Sequence, residues 1–321
     1  MSDASRASAS NPAPSELKAP EPVAVFAPGG YDADPARLNN ARGYFESRGH
    51  RFIAALDADK RHTRFSADDD ERLRQLRRVI DAPDIGIALA MRGGYGATRL
   101  LPHIDFDAMA EAIARHGRRF VGHSDFTAIQ LGLLARTGAI SFAGPMAGPD
   151  FGGSAVDAFT ESHFWRAMIE RRVDAEFPTR HQPVRASGVL WGGNLAMIAS
   201  LIGTPWMPAV EDGVLFIEDV NEQPYRIERM LLQLAQAGVL ERQRVVLCGD
   251  FSGYATVTYD HGYDVEAVFD YVRSVTSAPI VTGLPFGHCP KKLTLAVGAM
   301  IEVAVSGGRC RLQQQWDLNA G

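Results

Sequence analysis

Short apolar runs alternate with amphipathic stretches through the first half of the chain. VAVFAPGG from Val23, RFIAAL from Arg51, IGIALAMRGG from Ile85, RFVGHS from Arg119 and AISFAGP from Ala139 each read as a brief buried strand. Between them lie helical patterns. PARLNNARGYFESRG has Pro35 suited to a first helical turn and Gly49 to the end. ADDDERLRQLRRVI carries acids at its start and bases near its end, as a helix dipole favours. Phe106–His116 and DFTAIQLGLLART complete the series. Regular strand–helix alternation predicts an α/β fold: a parallel sheet with helices on both faces.

The pattern changes after residue 149. Residues 150–187 are polar and irregular apart from a helix-like patch, VDAFTESHFWRAMIER, and read as a connection. From Gly188 onward, GVLFIEDV, RVVLCGDF and APIVTGLP read as strands, and PYRIERMLLQLAQAG as a helix opened by Pro224 and closed by Gly238. The tail LTLAVGAMIEVAVSGGRCRLQQQW alternates like a hairpin about Ser306-Gly307-Gly308. The expected organisation is a disordered leader (1–22, rich in Ala, Ser and Pro), a first domain (23–149), the connection (150–187) and a second domain (188–321).

The chain has 321 residues, 46% of them hydrophobic, which suits a core shared by about two domains. Net charge is -5, and the basic pairs Arg77-Arg78, Arg118-Arg119, Arg171-Arg172 and Lys291-Lys292 are dispersed, which argues against a nucleic-acid partner. Cys248, Cys289 and Cys310 form neither a disulfide framework nor a metal-ligand spacing, as expected in a reducing compartment. No apolar run suits a membrane span, and the leader lacks the apolar centre of a secretory signal, so a cytoplasmic location is expected.

The candidate chemistry gathers at strand ends. In RRFVGHSDFTAIQ, Ser124 stands where a strand gives way to a helix, with Gly122 two residues before it. A serine there projects beside free helix-start N–H groups, like a nucleophile elbow, although Phe126 replaces the second glycine. The same position suits a plain helix cap. In MRGGYGATRLL, Gly93, Gly94 and Gly96 offer backbone N–H groups to an anion, or simply make a tight turn; the spacing fits neither a dinucleotide nor a Walker loop. Glu218 ends GVLFIE, with Asp219 and Glu222 as rival carboxylates, and His288 follows APIVTGLPFG, with Cys289 beside it as a rival nucleophile. Serine is inert at neutral pH without a base, neutral histidine supplies one, and a carboxylate on the far ring nitrogen fixes the tautomer.

The blocks MRGGYGATRLL, VGHSDFTAIQ, LWGGNLAMIASLIGTPWMP, LFIEDVNEQPYRIERMLLQL and GLPFGHCPKKLTLAVG, in that order, resemble the LD-carboxypeptidases, the muramoyl-tetrapeptide carboxypeptidase family. The resemblance covers most of the chain from Val23 to the late 290s. It implies a Rossmann-like N-terminal domain, a smaller, mostly β C-terminal domain, and a homodimer. It also implies release of the terminal D-Ala from murein tetrapeptide, after the L-centre of meso-diaminopimelate, in cytoplasmic cell-wall recycling without metal or cofactor. Carried onto this chain, it makes Ser124 the nucleophile, His288 the base, Glu218 its orienter, and the backbone N–H groups of Gly94 and Asp125 the oxyanion donors. The site would lie in the cleft between the domains. Two features depart from the family: the leader, and His123 where an aromatic such as tyrosine is usual. Arg92, Arg99 and Lys291 are candidate charge partners for the substrate.

Other classes stay in view. The related microcin immunity proteins use the same triad on peptide-nucleotide toxins. A doubly wound sheet with a second domain also suits a non-catalytic small-ligand binder. Metal-dependent hydrolysis would need ligand spacing that His103, His116, His123 and His288 do not provide.

Overall fold

The computed structural model describes residues 20–57, 59–255 and 257–318. The expected leader lies outside them except for residues 20–22, where Glu21 pairs with Arg119 at 2.5 Å. The first half runs β1 (Val23–Phe26), α1 (Ala36–Ser47), β2 (Phe52–Ala54), α2 (Asp69–Asp81), β3 (Ile87–Ala90), α3 (Ala97–Leu100), α4 (Phe106–His116), β4 (Arg119–Gly122), α5 (Thr127–Thr137) and β5 (Ser141–Ala143). Then follow α6 (Ala158–Trp165), β6 (Arg172–Pro178), β7 (Val184–Asn194), α7 (Leu195–Leu201), β8 (Gly213–Val220), α8 (Pro224–Gln236) and β9 (Gln243–Ser252). The chain ends with α9 (Val265–Val275), β10 (Ile280–Thr282), β11 (Leu295–Val297), β12 (Met300–Ser306) and β13 (Arg309–Gln315).

The first sheet has the order β11-β5-β4-β3-β1-β2, with β1 to β5 parallel. β1 and β3 are buried at every position, because helices cover both faces of a parallel sheet. α2 starts where the Asp68 carboxylate accepts the Glu71 N–H at 2.8 Å, with acids in its first turn and Arg78 in its last. The direction of winding reverses between β1 and β3. The crevice at the carboxyl ends of these strands is where open α/β sheets hold ligands.

The second sheet has the order β10-β9-β8-β7-β12-β13-β6. β7 belongs to both of its halves: Val184–Val189 pairs antiparallel with β12, and Leu190–Asn194 pairs parallel with β8. The fold is thus mixed α/β, a wound parallel sheet joined to a second, mostly strand-built unit. One apolar core runs through both sheets.

Three local findings differ from the pattern reading. The stretch taken as irregular contains β6, whose Val173, Ala175 and Phe177 are buried while Asp174 and Glu176 face outward. The tail forms the expected hairpin, β12 and β13, around Gly307 and Gly308, both at positive φ as a two-residue turn requires. Its first residues leave that hairpin, however: β11 pairs antiparallel with β5 and extends the first sheet. Finally, α7 arises at once from the end of β7, capped by the Asn194 side chain, which accepts the Met197 N–H at 3.1 Å.

Candidate active site

Ser124 sits just beyond β4 in a left-handed backbone conformation, φ +61°. L-residues adopt that region at a cost, so the neighbouring structure must hold it there. Two glycines make the room. A Cβ on Gly122 would stand 2.7 Å from the Phe126 ring, and one on Gly93 would stand 2.6 Å from Ser124 Oγ. The glycine turn after β3 therefore rests directly on the serine. No side-chain capping bond forms at the start of α5 or of the short turn before it, so the plain-cap reading of Ser124 does not describe this structure. Ser124 Oγ instead donates to Asp125 Oδ2 at 3.4 Å. Burial pushes the Asp125 carboxyl up, against hydrogen bonds from its own N–H, from the Ser124 hydroxyl and from the Gly94 N–H.

Glu218, near the end of β8, is fully buried. Its Oε2 lies 2.7 Å from Nδ1 of His288. A carboxylate only accepts, so Nδ1 carries a proton, and in the neutral ring Nε2 is the nitrogen with the lone pair. Asn194 Nδ2 donates to the other Glu218 oxygen at 3.3 Å and to Asp219 Oδ1 at 3.0 Å. The rival carboxylates are engaged elsewhere. Asp219 accepts from the backbone of Ala196 and Val220, and burial pushes it up to about 6. Glu222 pairs with Arg226 at 2.5 Å. Gly287 lets the histidine loop lie against the ends of β8 and β9, because a Cβ there would stand 3.3 Å from Cβ of Glu218 and 2.9 Å from Cβ of Asp250.

Burial alone pulls the His288 imidazole down, but the hydrogen bond and charge of Glu218, with the charge of Asp219, leave it above the ordinary histidine value. Among the described residues no Ser124–His288 hydrogen bond forms, since the serine hydroxyl is turned toward Asp125. His123 links the two residues. Its ring meets the His288 ring edge-on, with centroids 5.1 Å apart. Its Nδ1 donates to Gly144 O at 2.8 Å, and burial holds its pKa well below the ordinary value, so it is neutral. His123 is therefore packed between the Ser124 turn and His288.

The loop after His288 is fastened to the first half of the chain. Thr160 Oγ1 donates to Pro290 O at 2.6 Å and accepts the Lys292 N–H at 2.9 Å. Lys292 Nζ pairs with the Asp150 carboxylate, and both side chains are buried. β11 then joins the first sheet. The rival nucleophile Cys289 donates to Lys291 O at 3.1 Å, and burial pushes its thiol up to about 11, so it stays protonated at neutral pH.

The candidate charge partners divide. Arg99 pairs with Asp69 at 3.4 Å. Lys291 is exposed. Arg92 is half-buried and donates to Tyr31 O at 3.0 Å. Among the described residues, no group of His, Cys, Asp and Glu is arranged to hold a metal ion, and no helix is long and apolar enough to cross a membrane.

Comparison with known proteins adds to this geometry. A model of the LD-carboxypeptidase N-terminal domain matches residues 23–144, and one of the LD-carboxypeptidase C-terminal domain matches residues 187–303. The crystal structure of muramoyltetrapeptide carboxypeptidase from Oxalobacter formigenes is 43% identical, with a TM-score of 0.86, over 92% of this chain and 98% of that one. A probable murein peptide carboxypeptidase of Bacillus subtilis is 31% identical over 89% of each chain. The microcin C7 self-immunity protein MccF of Escherichia coli is 24% identical over 85% of this chain and 87% of its own.

Proposed function

The chain belongs to the LD-carboxypeptidase family, and on that premise we propose that it releases the terminal D-Ala from murein tetrapeptide by serine catalysis. The observation that carries the reading is the buried Glu218 bonded to His288, on a loop fastened beside the Ser124 turn. The 43% identity to a muramoyltetrapeptide carboxypeptidase, against 24% to the microcin immunity protein, supports the murein substrate over a peptide-nucleotide one.

The chemistry follows from these groups. Ser124 Oγ turns from Asp125 toward His288 Nε2, which takes its proton as Oγ attacks the carbonyl carbon of the L,D bond. The Gly94 and Asp125 N–H groups receive the oxyanion, and each good donor lowers such a barrier by about 3 kcal/mol. His288 returns the proton to the leaving nitrogen, D-Ala departs, and an acyl-serine remains. Water, giving its proton to His288, attacks the acyl carbon, and His288 passes that proton to Ser124 Oγ as the ester bond breaks and the tripeptide leaves. Glu218 stabilises the imidazolium in both steps without itself taking the proton. Action in the cytoplasm, during recycling of wall peptides, and assembly as a homodimer complete the proposal.

The test is incubation with tetrapeptide and mass spectrometry for lost D-Ala, beside labelling by a fluorophosphonate probe. Wild-type protein is expected to do both and Ser124→Ala neither. Release of D-Ala by folded Ser124→Ala protein would end the serine reading. A protein that neither labels nor cleaves fits the ligand-binder class instead.

A further inference from the structure

Around the turn that touches Ser124, the cations are either matched by acids or, like Arg64 over the Tyr95 ring, exposed to solvent. Arg72 and Arg99 both reach Asp69, Arg37 reaches Asp32 and Asp34, and Lys292 pairs with Asp150. Arg92 differs. It is half-buried and stands one residue before Gly93, and among the described residues no carboxylate lies within ion-pair distance of it. Its one hydrogen bond among the described residues, from Nη1 to Tyr31 O at 3.0 Å, leaves about four of its guanidinium N–H donors without a protein acceptor there. Its Nε lies 3.8 Å from where a Cβ on Gly94 would stand, so the side chain folds back along the turn that bears a proposed oxyanion donor. A guanidinium drawn partly out of water without a counter-charge favours the arrival of an anion.

We propose that Arg92 is a specificity-determining residue that binds the free C-terminal carboxylate of the peptide, confining cleavage to the last bond of the chain. The inference rests on the reading of Ser124 as nucleophile and deepens it. In a peptide, the terminal carboxylate carbon stands about 4 Å from the preceding carbonyl carbon. A substrate whose scissile carbonyl lies against Gly94 and Ser124 therefore carries its terminal charge along the border of the same turn. The planar fork of arginine matches a carboxylate with two parallel hydrogen bonds, which an ammonium cannot do. Lys291, exposed beyond His288, is the rival cation.

The experiment compares kcat/KM for tetrapeptide bearing a free terminal carboxylate with that for the same peptide as its C-terminal carboxamide. The proteins are wild type, Arg92→Met, Arg92→Lys and Lys291→Met, each checked for folding by circular dichroism. Wild type is expected to prefer the carboxylate by roughly 30-fold, the size of a charge-assisted pair. Arg92→Met collapses that preference by slowing the carboxylate substrate and leaving the amide within about twofold. Arg92→Lys, the milder variant, keeps the charge and loses about half of the preference on a logarithmic scale. Lys291→Met leaves it intact. Equal slowing of both substrates in the Arg92 variants would mean that the arginine only tethers Tyr31, and would overturn the inference. So would collapse of the preference in Lys291→Met alone. A wild-type protein that cleaves neither peptide brings down the site reading itself, whereas cleavage with an unaltered ratio in both Arg92 variants brings down this inference alone.

Discussion

Nδ1 of His288 stands 2.7 Å from Oε2 of Glu218, and that carboxylate is sealed from solvent. Removing its charge while keeping its shape, Glu218→Gln, frees the ring to adopt the wrong tautomer and leaves the imidazolium unsupported. kcat is expected to fall by about 10³- to 10⁴-fold, with KM little changed. The check is steady-state release of D-Ala, and a fall of less than tenfold would remove Glu218 from the triad.

The same contact sets the pH dependence. Burial pulls His288 down, yet Glu218 and Asp219 hold it above the ordinary value of 6.5, with Lys292 opposing them. His123 and Asp125 also face the ring's surroundings, the first neutral and the second an acid raised by burial. Catalysis needs neutral His288, so kcat/KM is expected to drop as pH falls through a pKa above that of free histidine. In Glu218→Gln the acidic limb moves to lower pH even as the maximum falls. A wild-type limb below the ordinary value, or one that does not move in the variant, would contradict this account.

Ser124 holds a conformation that glycine adopts freely, φ +61°. Ser124→Gly and Ser124→Ala both lose the hydroxyl and all turnover, but only glycine also relieves the backbone. The glycine variant is expected to be more stable than the alanine variant by about 1 kcal/mol in urea unfolding. Equal stabilities would show that the turn carries no strain.

The sequence made the first sheet readable because its central strands are unbroken apolar runs that end in glycine turns. The candidate site residues stood out because each is polar at the end of such a run or just past it. What stayed hidden depends on distance along the chain. β11 is three residues long, and its choice of β5 over the neighbouring hairpin is a matter of tertiary contact. The cap and nucleophile readings of Ser124 share one local signal, and the missing capping bond, which speaks against the first, is visible only in the fold. β6 did alternate in sequence, but its inward face opens with the small side chains Val173 and Ala175, a faint signal beside the charges around them. His123 was visible as a departure, while its contact with His288 across the domains was not.

Gly93 is tight for a steric reason. It has no positive φ, so alanine suits its backbone, yet the added methyl would stand 2.5 Å from Ser124 Cβ and 2.6 Å from Oγ. Gly93→Ala is expected to displace the nucleophile and lower kcat by about 100-fold or more, while unfolding shifts by only about 1–3 kcal/mol. Fluorophosphonate labelling at the wild-type rate would show that the turn yields without moving the serine.

The loop that delivers His288 is held by groups remote in sequence. Thr160, 130 residues before Pro290, donates to that residue's carbonyl and accepts the Lys292 N–H. The buried Lys292–Asp150 pair lies at the same place. Thr160→Val keeps the side-chain shape but leaves a backbone donor and acceptor without partners, at a cost of about 1–3 kcal/mol. If that clamp sets the reach of His288 toward Ser124, the loosened loop spends less time in reactive geometry. kcat and the probe-labelling rate should then fall together, by about tenfold, with KM nearly constant, while Thr160→Ser restores both. A purely structural threonine would lower the melting temperature and leave kcat of the folded fraction untouched. Full kcat in folded Thr160→Val would therefore mean that the histidine is held in place by Glu218 and its own strand end alone.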